Sequence, residues 1–172
     1  MTHWRSFIMA GSALALLAGC APKEEAKAPE APPVEAPFAD VDTNRIETAS
    51  GGAEWLTYGG TYDEQRFSTL TGINTENVSR LGVAWTHDLD TNRGVEATPI
   101  VVDGVMYVTS AWSVVYALDA KTGEALWTYD PDVDRAVGVK ACCDVVNRGV
   151  AVYKGKVYVG VIDGRLDALD AK

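Results

Sequence analysis

The feature that most constrains this chain is that it repeats itself. Gly104-Val105-Met106-Tyr107-Val108 returns 51 residues on as Gly155-Lys156-Val157-Tyr158-Val159. Ala117-Leu118-Asp119-Ala120-Lys121 returns at the same offset as Ala168-Leu169-Asp170-Ala171-Lys172. A period near 50 built from short Val-, Ile- and Tyr-rich runs is the sequence signature of a propeller, in which each unit hides its apolar faces against its neighbours. The runs are cut by hairpin signals at Asp103-Gly104, Lys154-Gly155 and Asp163-Gly164. The expected fold class is therefore all-β, with blades that are four-stranded antiparallel sheets. The second copy stops at Lys172, before any counterpart of Thr122 to Trp127. The expectation is a chain that ends mid-blade, an N-terminal piece of a longer protein with about two blades represented.

Ahead of the repeat the sequence predicts two further segments. Arg5 is followed by a 12-residue apolar and small run from Phe7 to Ala18, too short to span a bilayer and suited to a signal-peptide core. Leu17-Ala18-Gly19-Cys20 resembles a bacterial lipobox, which implies cleavage before Cys20, lipidation of Cys20 and an outer-membrane anchor in the periplasm. An ordinary secretory signal with a coincidental Cys is the alternative. Residues 21–40 hold five of the seven prolines, and five acids against Lys23 and Lys27. Such a stretch has no apolar period to bury and reads as an extended tether. The expected organisation is a signal peptide over 1–19, a disordered tether over 20–50, and propeller over 51–172, with Val41 to Gly52 left open as a weak, ordered approach to the domain. Within the last part, Ile73 to Leu81 reads as a short helix capped by Asn74 or Thr75, and Val83 to Thr86 as a strand.

The chain carries a net charge of −9, which argues against a nucleic-acid partner and leaves any anion site to be built from local cations. Only His3 and His87 are present, and no C-x-x-C-H, Gly-rich phosphate loop or H-E-x-x-H pattern occurs, which excludes the common haem, nucleotide and zinc signatures. What remains is Cys142-Cys143. Adjacent Cα atoms lie about 3.8 Å apart, closer than the roughly 4.4–6.8 Å of an ordinary disulfide. Joining them closes an eight-membered ring and bends the enclosed peptide. Two buried thiols or half of a metal site are the competing readings, although metal ligands are commonly spaced C-x₂₋₄-C.

The neighbours of the pair weigh on that choice. Cys142-Cys143-Asp144-Val145-Val146-Asn147-Arg148-Gly149, with Gly94-Val95-Glu96-Ala97-Thr98-Pro99 upstream, resembles the quinoprotein alcohol dehydrogenases of the methanol/ethanol family. Trp55-Leu56-Thr57-Tyr58-Gly59-Gly60 and Asp63-Glu64-Gln65-Arg66-Phe67-Ser68 are similar to that family's N-terminal signature. The resemblance implies an eight-bladed propeller that binds pyrroloquinoline quinone (PQQ), with Cys142 and Cys143 joined as a disulfide flat against one face of the cofactor. It also implies that Arg148 lies near the quinone oxygens and carboxylate edge and that Glu96 contacts the cofactor. A surface or inter-blade ion pair for Arg148 and a solvated edge position for Glu96 are the alternatives. Asp144 and Asn147 are expected to bond the loop backbone. Ala117 to Trp127 resembles the family's tryptophan-docking motif, with Asp119, Thr122 and Gly123 in the turn and Trp127 packed between blades. Trp85 is expected to do the same one blade earlier.

The implied reaction is oxidation of a small alcohol to an aldehyde. Ca²⁺ or another Lewis-acid metal and a general base are held by residues outside this sequence, and electrons pass to cytochrome c, a haem domain or quinone. A non-catalytic propeller lipoprotein of the outer-membrane assembly type is the competing function, but it needs neither the cysteine motif nor the Glu96 motif. A redox-sensing dithiol is the third, and only Arg148 nearby would favour a thiolate. For the lipobox, replacing Cys20 by Ala should move the protein from the membrane fraction to the soluble periplasm. Unchanged fractionation would contradict the reading.

Overall fold

The structure is a computed structural model, and it describes residues 38–49 and 52–172. Cys20, the leader and most of the Pro-rich stretch lie outside the described residues. The repeat is realised as two antiparallel sheets. The first has the order β1 (Ile100–Val102), β2 (Val105–Thr109), β3 (Val115–Asp119), β4 (Ala125–Tyr129); the second runs β5 (Ala151–Tyr153), β6 (Lys156–Gly160), β7 (Leu166–Asp170). β5, β6 and β7 each begin 51 residues after β1, β2 and β3. The register repeats too: Ile100 pairs with Tyr107 and Ala151 with Tyr158.

The first strand pair of each sheet is closed by a two-residue turn. Asp103 and Gly104 have φ of 49° and 78°, and Lys154 and Gly155 have 46° and 72°. Two positive values in succession make a type I′ turn, whose twist matches that of the flanking strands. β6 and β7 are joined by a longer loop, which Val161 N–H and Arg165 O close at 2.8 Å.

β2 and β3 are buried almost throughout, whereas β7 alternates between exposed and partly buried positions. The difference follows from packing, because the first sheet is covered on both faces. One face, with Ile100, Val102, Tyr107, Val115 and Ala117, shares a core with Val152, Val157, Val159 and Ala171 of the second sheet. The other face, with Val108, Tyr116 and Leu118, is covered by Trp85, Leu89 and Ala97.

Two tryptophans join these layers through the same backbone position. Trp85 Nε1 donates to Ala120 O and Trp127 Nε1 to Ala171 O, both at 3.3 Å, and Ala120 and Ala171 are one repeat apart. The Ala171 carbonyl also accepts from the Tyr107 hydroxyl at 2.9 Å. Tyr107 is fully buried, and burial pushes its phenol up to about 12, so it stays a proton donor. The turn that receives Trp85 is held by Asp119, whose Oδ1 accepts from Lys121 N–H at 2.9 Å, Thr122 N–H at 2.8 Å and the Thr122 hydroxyl at 3.1 Å. Gly123 completes it. A Cβ there would sit 2.4 Å from the Trp85 ring, well inside contact distance.

Three expectations need correction. Residues 38–49, assigned above to the tether, are folded: Ala39 and Val41 are fully buried, and α1 (Thr43–Thr48) is capped by Asp42, which accepts from Arg45 N–H. This segment bridges the two type I′ turns, with Ala39 N–H on Asp103 at 2.7 Å and Lys154 N–H on Val41 O at 2.8 Å. The Phe38, Ala39, Val41 and Ile46 apolar positions were legible, but their acidic, proline-rich neighbourhood concealed them. The helix expected over 73–81 is only a 3₁₀ turn at Val78–Arg80. Asn74 and Asn77 take up backbone N–H groups in bends before it, the usual competition of Asn with helix. The strand expected over 83–86 is absent. Trp85 anchors that segment, but no ladder partner lies beside it among the described residues, and Val83 is 81% exposed.

The Asp119 carboxyl is held below the ordinary aspartate range, first by the Thr122 N–H, then by the Thr122 hydroxyl and the Lys121 N–H. A depressed folded value means that the turn's contribution to stability is present above the unfolded value, about 3.9, and is lost as pH falls through the folded one. The denaturation midpoint of Asp119→Asn should therefore lie below that of the parent at pH 6 and approach it as pH drops below about 4. A gap that does not change with pH would contradict this account of the turn.

Candidate functional site

The candidate site residues lie at the ends of the sheets opposite the type I′ turns. β1 and β2 run antiparallel, so the segment entering β1, the β2–β3 connection and the segment entering β5 all reach the same end. These are residues 93–99, 110–114 and 141–149.

Cys142 and Cys143 are joined as a disulfide with Cα atoms 3.8 Å apart, and both residues are exposed. The loop that carries them is tied down on its far side. Asp144, at φ 68°, pairs with Arg93. Val145 is buried, and its carbonyl accepts from Trp112 N–H at 2.9 Å. Asn147 spends its whole amide on the fold: Nδ2 donates to Ser113 Oγ at 3.1 Å and Gly160 O at 2.9 Å, and Oδ1 accepts from Gly149 N–H at 2.9 Å. Asn147 thus bonds the loop backbone as expected, while Asp144 reaches Arg93 instead.

The two sequence motifs meet at Arg148. Its carbonyl accepts from Thr98 N–H at 3.2 Å, and its guanidinium lies 3.1 Å from the Glu96 carboxylate. These side chains are 69% and 46% exposed. A pair so wet contributes between zero and about 1 kcal/mol, so the backbone contact, not the ion pair, holds the segments together. That contact requires Gly149. Its φ is 121°, and a Cβ would fall 2.9 Å from Thr98 O. Glu96 lies ahead of β1, which begins only at Ile100. Its carboxylate reaches water and has a cation beside it.

Some participants gave no signal in the sequence. Trp112 and Ser113 both adopt φ of 63°, a region that costs a side chain-bearing residue about 1–2 kcal/mol. The Trp112 ring lies between the Arg135 guanidinium at 4.3 Å and that of Arg93 at 5.5 Å, and Gly138 packs closely against it. Tyr58 and Arg66 belong to the motifs quoted above but had no role assigned. Arg66 stacks 4.4 Å over the Tyr58 ring and, chiefly by hydrogen bonding, holds the phenol below the usual tyrosine range. With Trp55, Thr98, Pro99 and Val101 they line a cavity of about 350 Å³ beside Thr98.

The donor set of this end suits a flat polyanion. It has a disulfide exposed to solvent, an arginine whose only side-chain partner among the described residues is an exposed carboxylate, and further guanidiniums at Arg66, Arg93 and Arg135. No group of three or more His, Cys, Asp or Glu side chains comes together among the described residues, so this end offers no metal cage of its own.

Residues 55–172 match the model of the PQQ glucose/ethanol/alcohol dehydrogenase β-propeller domain. The chain is similar to the quinohemoprotein alcohol dehydrogenase ADH-IIG of Pseudomonas putida, at 61% identity over 78% of the chain and 19% of the relative. It superposes on that enzyme's crystal structure with a TM-score of 0.77. The quinohemoprotein alcohol dehydrogenase of Comamonas testosteroni is 54% identical over 91% of the chain and 22% of the relative, with a TM-score of 0.75. A europium-containing methanol dehydrogenase matches at 42% identity with a TM-score of 0.68, over 74% of this chain and 22% of that one. The chain spans about a fifth of the length of these relatives.

Replacing Gly149 by Ala should force residues 96–99 away from Arg148. The positive φ and the clash together should cost about 2–4 kcal/mol. Urea denaturation measures it, and a loss below about 0.5 kcal/mol would show that the approach is not constrained.

Proposed function

The chain belongs to the PQQ glucose/ethanol/alcohol dehydrogenase β-propeller family, and from that premise we propose that it forms the N-terminal part of a periplasmic enzyme that oxidises small alcohols to aldehydes. The observation that carries the proposal is that Glu96 and Arg148 pair at the same end of the sheets as the Cys142–Cys143 disulfide. Each answers a need of a planar quinone with three carboxylates. The Cys142–Cys143 disulfide would supply a flat wall for the cofactor. Arg148 is permanently charged and can grip a carboxylate or quinone oxygen through two N–H groups at once. Glu96, beside Arg148, would accept a hydrogen bond from the cofactor. PQQ, when bound, supplies the acceptor for the two electrons that leave the alcohol.

The remaining machinery is proposed to lie outside these 172 residues. It comprises the ligands of Ca²⁺ or another Lewis-acid metal, and the general base that takes the alcohol proton. Electrons then pass to cytochrome c, a haem domain or quinone. Lipidation at Cys20 would hold the enzyme at the outer membrane.

In the full-length enzyme, replacing Cys142 and Cys143 together by Ala should lower PQQ-dependent alcohol oxidation by about tenfold or more, equivalent to about 1.4 kcal/mol of transition-state stabilisation. The thermal midpoint should move little, because both residues are exposed. Activity equal to the parent's would remove the disulfide from the site.

A further inference from the structure

The β2–β3 connection adopts a costly conformation whose product is contact with another blade. It places Trp112 and Ser113, two residues with side chains, at positive φ, where Asn, Asp or Gly is usual. The conformation delivers Trp112 N–H to Val145 O at 2.9 Å and buries the Ser113 hydroxyl, leaving that residue 1% exposed. That hydroxyl accepts from Asn147 Nδ2 at 3.1 Å and from Ile162 N–H at 3.3 Å. It therefore binds both the disulfide loop and the β6–β7 loop, and it lies in a different sheet from either.

We infer that Ser113, acting through Asn147, is a positioning residue that sets the direction of Arg148 and of the disulfide ring. Asn147 is the residue before Arg148 and lies four residues after Cys143. With Nδ2 shared between Ser113 and Gly160 and Oδ1 bound to Gly149 N–H, its side chain is pinned from both sides of the peptide that carries Arg148. The outer surface of the loop offers no comparable restraint, since the Arg148–Glu96 pair is open to water. A buried acceptor removed from beneath Asn147 leaves its amide short of a partner, and the loop must shift to recover one. Preorganising the cofactor-facing groups in this way lowers the cost of ordering them on binding.

The inference rests on the PQQ reading above, and its test separates the two. Ser113→Gly suits the positive φ and deletes only the side chain, so the fold is spared the strain that other substitutions would add. In the full-length apo-enzyme, this variant should bind PQQ about tenfold more weakly by tryptophan fluorescence quenching, the effect of one lost buried hydrogen bond. Its Cys142–Cys143 bond should be cleaved several-fold faster by a water-soluble phosphine without PQQ. The thermal midpoint should stay within a few degrees. Asn147→Ala should reproduce both shifts, and the double variant should be no worse than Asn147→Ala alone. Unchanged PQQ affinity and phosphine rate in Ser113→Gly would overturn the inference, as would effects of the two substitutions that simply multiply. Should the parent fail to bind PQQ at all, the functional reading falls, and the phosphine rates alone decide the positioning role.

Discussion

One backbone carbonyl, that of Ala171, sets the geometry on which the rest depends. It accepts hydrogen bonds from the Tyr107 hydroxyl of β2 and the Trp127 indole of β4, and the two rings lie 5.9 Å apart. Each bond is worth about 0.5–1.5 kcal/mol net, but a fully buried phenol left without a partner costs about 1–3. The constraint is thus stronger than either bond suggests. The second sheet must present a carbonyl to Tyr107, and it can do so only in one register. Because the partner position recurs one repeat earlier at Ala120, where Trp85 docks, the same rule links each layer to the next.

That registration divides the molecule into two ends. At one, the type I′ turns are tight, and residues 38–49 strap across them with Arg45 bonded to Glu54 and Asp103. At the other, the connections are long and strained, and they reach from blade to blade. The strap's Arg45 is paired with carboxylates, whereas the opposite end carries several guanidiniums and an exposed disulfide. Strain of this kind persists where the surroundings enforce it, and here the enforcement comes from the Val145 carbonyl and the Asn147 amide.

The repeat, the hairpin dipeptides and the Ala-to-Trp motif were readable in the linear chain because they are local. A type I′ dipeptide and a turn stapled by Asp119 each depend on neighbours a few residues away, each strand run is itself local, and the 51-residue period emerges from comparing such runs along the chain. The cysteine pair was readable for the same reason, since adjacency alone limits what the two sulfurs can do. The short helix and the strand around residues 73–86 failed because tertiary partners decide such marginal segments. So did the limit of the tether, where three buried apolar side chains outweigh a composition that reads as solvated.

Sequence by itself determined that this is an all-β repeat protein of the PQQ propeller family, and which loops carry the candidate site residues. Only the tertiary structure decided how those loops meet. Nothing in the residues Ser110 to Val114 announces positive φ at Trp112 and Ser113, because that conformation is stable only when a second blade supplies Val145 and Asn147. Nor does spacing reveal that Arg148 and Glu96, 52 positions apart, face each other. Their meeting is a product of blade registration and of a glycine at 149 that lets two backbones approach, and both are properties of packing rather than of any local run of residues.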